Sequence, residues 1–371
     1  MIYAENYLRS GIRDLKPYVP GKSEEEIQEA FGLSQVAKLA SNENPYPPFD
    51  PVQEAIAREA ARVHRYPDGR CRRLAPRLAE YLRVSPDELI FGNGAEELIF
   101  LVCQTFLNAG EEAVLVANCF DAYETAVRVM GGVPVFSPLD PDFRVNLVDI
   151  SRRVTLKTKL VFLPNPNNPT GTLFTETEFT TFLESVPEGV IIVLDEAYHE
   201  YVTHPGYPDG IRFIGHGRPL IVLRTFSKAF GLAGLRIGYA VCRADFIRYM
   251  HHARQPFNVN RIAEAAAVAA LENADRMWTR VRAMEEERIR LCRALETMGY
   301  FHVPSHTNFV LVDTKRNADV LFRRLLEKGV IVRPGTIWGF DTFIRITVGT
   351  REENDRALYV LEETLKAQDS R

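Results

Sequence analysis

The amino-acid sequence predicts an α/β fold: a large domain around a mostly parallel seven-stranded sheet, with a smaller α+β domain beside it. Three observations lead there. Seven short runs between residues 88 and 242 are nearly continuous in apolar residues, as strands covered on both faces are. Helical patterns lie between most of these runs, which is the alternation of an α/β sheet. After residue 250 the texture changes to a long helical stretch followed by shorter strands.

In chain order, ELIFG (88–92) closes on Gly92-Asn93-Gly94 and opens the helical pattern AEELIFLVCQTFL (95–107). AVLVA (113–117) and VPVFS (133–137) follow. LVFLPNP (160–166) runs into Asn167-Asn168-Pro169-Thr170-Gly171, and TETEFTTFLESV (175–186) is again helical. VIIVLDEA (190–197) carries Asp195 at its end, with Tyr198 just after it. LIVLRTFS (220–227) leads directly into Lys228, and IGYAVC (237–242) closes the series. Beyond it, a helical stretch from Arg261 to Gly299 precedes the short strands NFVLVD, VIVRPG and FIRITVG. This texture divides the chain into a segment 1–40 that joins the small domain, a large domain 41–250 and a small domain 251–371.

Composition narrows the function. The chain has 371 residues, a formal net charge of -4 and 46% hydrophobic residues, an ordinary globular balance. No basic stripe appears, which argues against nucleic acid as a partner. No apolar run approaches the ~20 residues that span a membrane. The N-terminus is charged and broken by proline, unlike a signal or transit peptide. The five cysteines are scattered through apolar segments, the pattern of reduced thiols in a cytoplasmic protein. The histidines show no ligand spacing, and no metal is expected.

In open α/β sheets, ligands bind beyond the carboxyl ends of the strands. Four of those ends carry, in order, a glycine turn before a helix, an amide (Asn168), a carboxylate with a phenol (Asp195, Tyr198) and a hydroxyl with an amine (Ser227, Lys228). Each alone has a structural explanation: a tight turn, a helix cap, or a lysine that reaches water. Together they match one cofactor, pyridoxal 5′-phosphate. It requires a lysine for its aldehyde, a carboxylate for its ring nitrogen, a donor for its phenolic oxygen and a helix N-terminus for its phosphate.

With the motifs SNENPYPP, HRYPDG, GNGAEEL, PNNPTG, DEAYHEY, RTFSKAFGLAGLRIGYA, RQPFNVN and TNFVLV, the chain resembles the fold-type I pyridoxal-phosphate aminotransferases. The likeness runs from LKPYVPG (15–21) to RITVGTREEN (345–354). Within that family, LKPY, RYPDG and two C-terminal arginines are similar to the subgroup that acts on histidinol phosphate, with 2-oxoglutarate as second substrate.

The resemblance implies roles residue by residue. Lys228 holds the cofactor and moves the substrate proton, Asp195 faces the ring nitrogen, and Asn168 and Tyr198 face the phenolic oxygen. The backbone of Gly94, Ala95 and Glu96, with Ser227 and Arg236, holds the phosphate. Phe120 stacks on the ring, with Tyr123 as the alternative. Tyr66 reaches the neighbouring site of a homodimer. Tyr18, Asn44, Arg333 and Arg345 hold the substrate, Arg333 taking its phosphate and Arg345 a carboxylate. Trp338 and Phe340 form an apolar rim that also suits an aromatic amino acid, so an aromatic aminotransferase is the second reading. A pyridoxal-phosphate lyase, such as a phosphothreonine decarboxylase, is the third. A cofactor-binding regulator would need a basic helix-turn-helix, for which no room is expected before residue 15.

Overall fold

The β-branched runs become strands because a sheet covered on both faces buries every side chain along them. In the computed structural model, which describes residues 4–13, 15, 17 and 21–369, all positions of Ile191–Asp195 and Leu220–Thr225 are buried. The strands are β1 (Ala37–Lys38), β2 (Leu89–Gly92), β3 (Glu112–Val116), β4 (Val133–Ser137), β5 (Thr158–Pro164), β6 (Ile191–Asp195), β7 (Leu220–Thr225) and β8 (Gly238–Val241). They are followed by β9 (Phe301–His302), β10 (Phe309–Asp313), β11 (Val330–Ile331), β12 (Arg333–Pro334) and β13 (Phe343–Thr347).

Seven strands form the large sheet, in the order β2-β8-β7-β6-β5-β3-β4. Its pairs are parallel except at β8, which runs antiparallel to both β2 and β7. The sheet is therefore mostly parallel, as predicted. The reversal also decides where the site is built. The carboxyl ends of β2, β5, β6 and β7 share one edge, and the start of β8 lies there too.

A second sheet, β12-β13-β10-β9, is antiparallel throughout. Strand β1 pairs in parallel with β11, which ties the chain before residue 40 to this smaller body. The two bodies share the 24-residue helix Ala274–Thr297. Its Met277, Val281 and Met284 pack with Val52, Phe226 and Tyr239, and its Leu291 and Leu295 with Val310, Val312 and Ile344. Sequence texture placed everything after residue 250 in the small domain. The structure instead turns the apolar faces of 259–284 toward the large body, because the alanine-rich helix Arg261–Glu272 packs closely on Asp50–Ala60. Among the described residues, no helix is long and apolar enough to cross a membrane.

Candidate active site

One cavity of about 230 Å³ opens at the shared strand edge, and Lys228, Asp195 and Tyr198 all line it. Asp195 ends β6, and Tyr198 follows in the turn beyond it. Lys228 lies three residues after β7. Its Nζ donates to Ser41 O at 3.3 Å and sits 5.7 Å from the centre of the Tyr198 ring. Among the described residues, neither Lys228 nor Asp195 makes an ion pair within 4.0 Å. Burial is the first cause that pushes the Lys228 ammonium down to about 8, and the guanidinium groups of Arg345 and Arg236 add to it. Burial likewise raises the Asp195 carboxyl. The Tyr123 hydroxyl, donating to Oδ2 at 2.7 Å, and the Ala197 N–H, donating to Oδ1 at 3.0 Å, oppose that rise.

The helix Ala95–Phe106 starts at the same edge. Gly94 caps it at φ +83°, a conformation open to glycine at no steric cost. A Cβ on Gly94 would lie 2.5 Å from Arg236 Nη2, so the missing side chain is what admits the arginine. On the other side, a Cβ on Gly238 would lie 2.6 Å from the Ala95 nitrogen. Arg236 therefore reaches the helix N-terminus from just before the reversed strand β8. One expectation is corrected: the Gly94 N–H donates to Gly92 O at 2.8 Å. Gly94 shapes this cradle, and the donors left to it are the N–H groups of Ala95 and Glu96 with Arg236 and Ser227.

The opposite wall comes from the smaller body. Arg333 and Arg345 sit side by side in register on β12 and β13, and both line the cavity. Arg345 Nη2 donates to Ala40 O at 2.6 Å, and Nη1 donates to Asn168 Oδ1. The Phe309 and Trp338 rings lie 5.2 and 5.0 Å from its guanidinium carbon. Trp338 thus flanks an arginine. Phe340 turns away to pack on Phe143 and Phe343. Phe120 lines the cavity and meets the Tyr123 ring edge-on at 5.9 Å.

Three further expected positions are Asn44, Tyr66 and Tyr18, of which only Asn44 was expected in this chain's own cavity and is described outside its lining. Asn44 spends its amide on Ala229 O at 3.0 Å and on the Tyr46 N–H at 3.1 Å, and the cavity-lining residues of its motif are Ser41 and Asn42. Tyr66 is 80% exposed, stacks on Phe257 at 5.0 Å and is absent from the lining of its own chain's cavity. Tyr18 lies outside the described residues.

Sequence reasoning missed Asn42, Asp121 and Thr225, which line the cavity, and the core ion pair of Glu196 behind it. Asn42 holds a left-handed φ of +53°, which suits asparagine but which nothing in the sequence marks. Burial pushes the Asp121 carboxyl up, while Arg333 draws it down. Glu196 is fully buried and accepts from Arg224 Nε and Nη2 at 2.9 and 2.7 Å, while Arg224 also donates to Asp209 at 2.6 Å.

The donor set fits pyridoxal phosphate. A half-buried amine without an anionic partner, a buried carboxylate without a cationic one, a phenol and an arginine-backed helix N-terminus surround one space. The comparisons agree. Residues 34–361 match the family described as aminotransferase class I and II. The chain is 44% identical to the histidinol-phosphate aminotransferase of Moorella thermoacetica, over 96% of this chain and 92% of that one. It is 42% identical to the histidinol-phosphate aminotransferase of Bacillus subtilis, over 96% and 99%. The crystal structure of histidinol-phosphate aminotransferase from Sinorhizobium meliloti in complex with pyridoxal-5′-phosphate superposes with a TM-score of 0.89. It is 30% identical and covers 97% of this chain and 98% of that one.

Proposed function

The chain belongs to the class I and II aminotransferases, and from that premise we propose that it moves an amino group between L-histidinol phosphate and 2-oxoglutarate in histidine biosynthesis. The observation that carries this reading is the single cavity in which Lys228, Asp195 and Tyr198 meet two arginines from the other body.

Bound there, pyridoxal phosphate supplies an aldehyde that takes the amino group and a ring that draws off the electron pair left when a Cα–H bond breaks. Lys228 would hold that aldehyde, and its amine would move a proton from the substrate Cα. Its lowered pKa of about 8 suits a proton acceptor working near neutrality. Asp195 holds a proton at the ring nitrogen. Arg345 occupies Asn168 Oδ1, which leaves the Asn168 Nδ2 hydrogens for the phenolic oxygen, beside Tyr198. Phe120 covers the ring. The N–H groups of Ala95 and Glu96, the Ser227 hydroxyl and Arg236 hold the phosphate.

Arg345 grips the carboxylate of the amino-acid partner. Arg333 takes the phosphate of histidinol phosphate or the side-chain carboxylate of glutamate, since a guanidinium grips either in a bidentate way. The enzyme works as a cytoplasmic homodimer in which the exposed Tyr66 extends to the partner's cofactor phosphate.

The test is a single turnover of the cofactor-loaded protein with L-histidinol phosphate and, separately, with L-phenylalanine, followed by the visible cofactor band. Fast loss of the band with histidinol phosphate and slow loss with phenylalanine is expected. The reverse order would assign the protein to the aromatic aminotransferases.

A further inference from the structure

Asn42 joins the two bodies at the cavity. It is 1% exposed and holds φ at +53°. Its backbone N–H donates to Thr347 Oγ1 at 3.0 Å, and the Thr347 hydroxyl returns its proton to Asn42 Oδ1 at 3.1 Å. Its carbonyl accepts from Asn308 Nδ2 at 3.0 Å. The loop with Thr347 fixes the amide: with Oδ1 turned to the threonine, Nδ2 faces away from it. That nitrogen donates to Tyr198 Oη at 2.9 Å. Thr347 ends β13 and Asn308 precedes β10, both in the smaller sheet, whereas Tyr198 follows β6 in the large one.

We propose that Asn42 is a positioning residue for Tyr198. By donating to the phenol oxygen, it directs the Tyr198 O–H toward the cavity and strengthens it as a donor to a ligand oxygen. The inference rests on the reading that pyridoxal phosphate binds there with its phenolic oxygen toward Tyr198. The physical basis is a chain of two hydrogen bonds, each polarising the next, so that removing the first weakens the second. A donor to the cofactor's phenolic oxygen favours the less protonated form of the bound cofactor. Weakening that donor therefore raises the pH at which the cofactor's visible band changes. The Thr347 and Asn308 contacts make this setting depend on the small body being seated.

The charged groups around the Tyr198 hydroxyl come from several elements. Lys228 lies over the ring, and Asp195, Arg236, Arg345 and Glu43 act on that amine. A neutral substitution at Asn42 removes none of them, so the change is read against a constant set of charges.

The experiment compares four cofactor-loaded proteins: wild type, Asn42→Gly, Tyr198→Phe and the double variant. Glycine accepts the left-handed backbone without strain and keeps the N–H bond to Thr347. The readout is the pH midpoint of the visible band at full cofactor occupancy, beside the activity. Asn42→Gly is expected to move the midpoint up by about half a pH unit, the scale of one neutral hydrogen bond acting indirectly. Tyr198→Phe is expected to move it further, and adding Asn42→Gly to Tyr198→Phe is expected to change nothing more. Asn42→Ala also removes the donor to Tyr198 without adding a charge, and is expected to move the midpoint in the same direction. It serves if Asn42→Gly does not load. An unchanged midpoint in the loaded variants overturns the proposal, as does a shift that persists in full without the Tyr198 hydroxyl. A wild-type protein that takes up no cofactor overturns instead the reading beneath it.

Discussion

Tyr123 donates its hydroxyl proton to Asp195 Oδ2 at 2.7 Å from a ring that is 2% exposed and stacked on Phe162. The tyrosine supports the carboxylate from within the core, on the side away from Lys228's strand. Burial favours the neutral acid, and this bond with the Ala197 N–H works against it. Tyr123, which the sequence offered only as the alternative to Phe120 for stacking, is thus a buried hydrogen-bond donor.

Tyr123→Phe should therefore raise the Asp195 pKa further. Since Asp195 acts as a carboxylate, the acid limb of the pH–rate profile is expected to move to higher pH. Cofactor affinity is expected to fall by roughly 10-fold, the scale of one hydrogen bond to a charged group. A pH profile of kcat beside a cofactor titration checks both.

Without cofactor, Lys228 is a stability cost. Its folded pKa of about 8 lies below the ordinary lysine value of 10.5, so the unfolded chain binds more protons between those values. Stability of the cofactor-free protein should rise with pH across that window, and the penalty should be fully present below it. Lys228→Met is expected to stabilise the cofactor-free protein by up to ~3 kcal/mol at pH 7, with the difference gone above about pH 10.5. Urea unfolding at pH 7 and pH 10.5 reads the difference directly.

Arg345 is held by Ala40 O, by Asn168 and by the Phe309 and Trp338 rings. A lysine cannot reproduce a planar fork between two aromatic faces. Arg345→Lys is expected to raise KM for glutamate by about 100-fold. Trp338→Leu removes one face and is expected to raise it by about 3- to 10-fold, with kcat little changed. If Trp338→Leu instead altered phenylalanine turnover alone, Trp338 would be a substrate wall.

Arg224 is 4% exposed and balances Glu196, whose carboxyl burial has pushed up to about 7. Arg224→Leu would strand the Glu196 carboxylate in the core and remove a partner from the half-exposed Asp209. A loss of ~3–5 kcal/mol in unfolding free energy is expected, measured by denaturant titration of the holoenzyme.

The strands and the cofactor groups were legible because both follow local rules. Continuous apolar runs mark doubly covered strands, and the ends of parallel strands gather at one edge whatever the loops do. Lys228, Asp195, Tyr198, Asn168 and Arg236 could be found that way or by family likeness. Asn42 and Tyr123 could not, because their roles depend on partners 156 and 72 residues away. Asn44 and Asn42 share a motif, and only the backbone turn at Asn42 decides which amide faces inward. The packing of 259–284 was misread for a related reason: alanine-rich helices look alike in sequence whichever body they cover.

The central claim is that Lys228 is the amine that carries the cofactor in this cavity. Borohydride reduction of the loaded protein, followed by proteolysis and mass mapping, tests it most directly. The expected result is one pyridoxyl group on the peptide containing Lys228 and none on other lysines. A pyridoxyl group on a different lysine, or loaded protein with none after reduction, would contradict it.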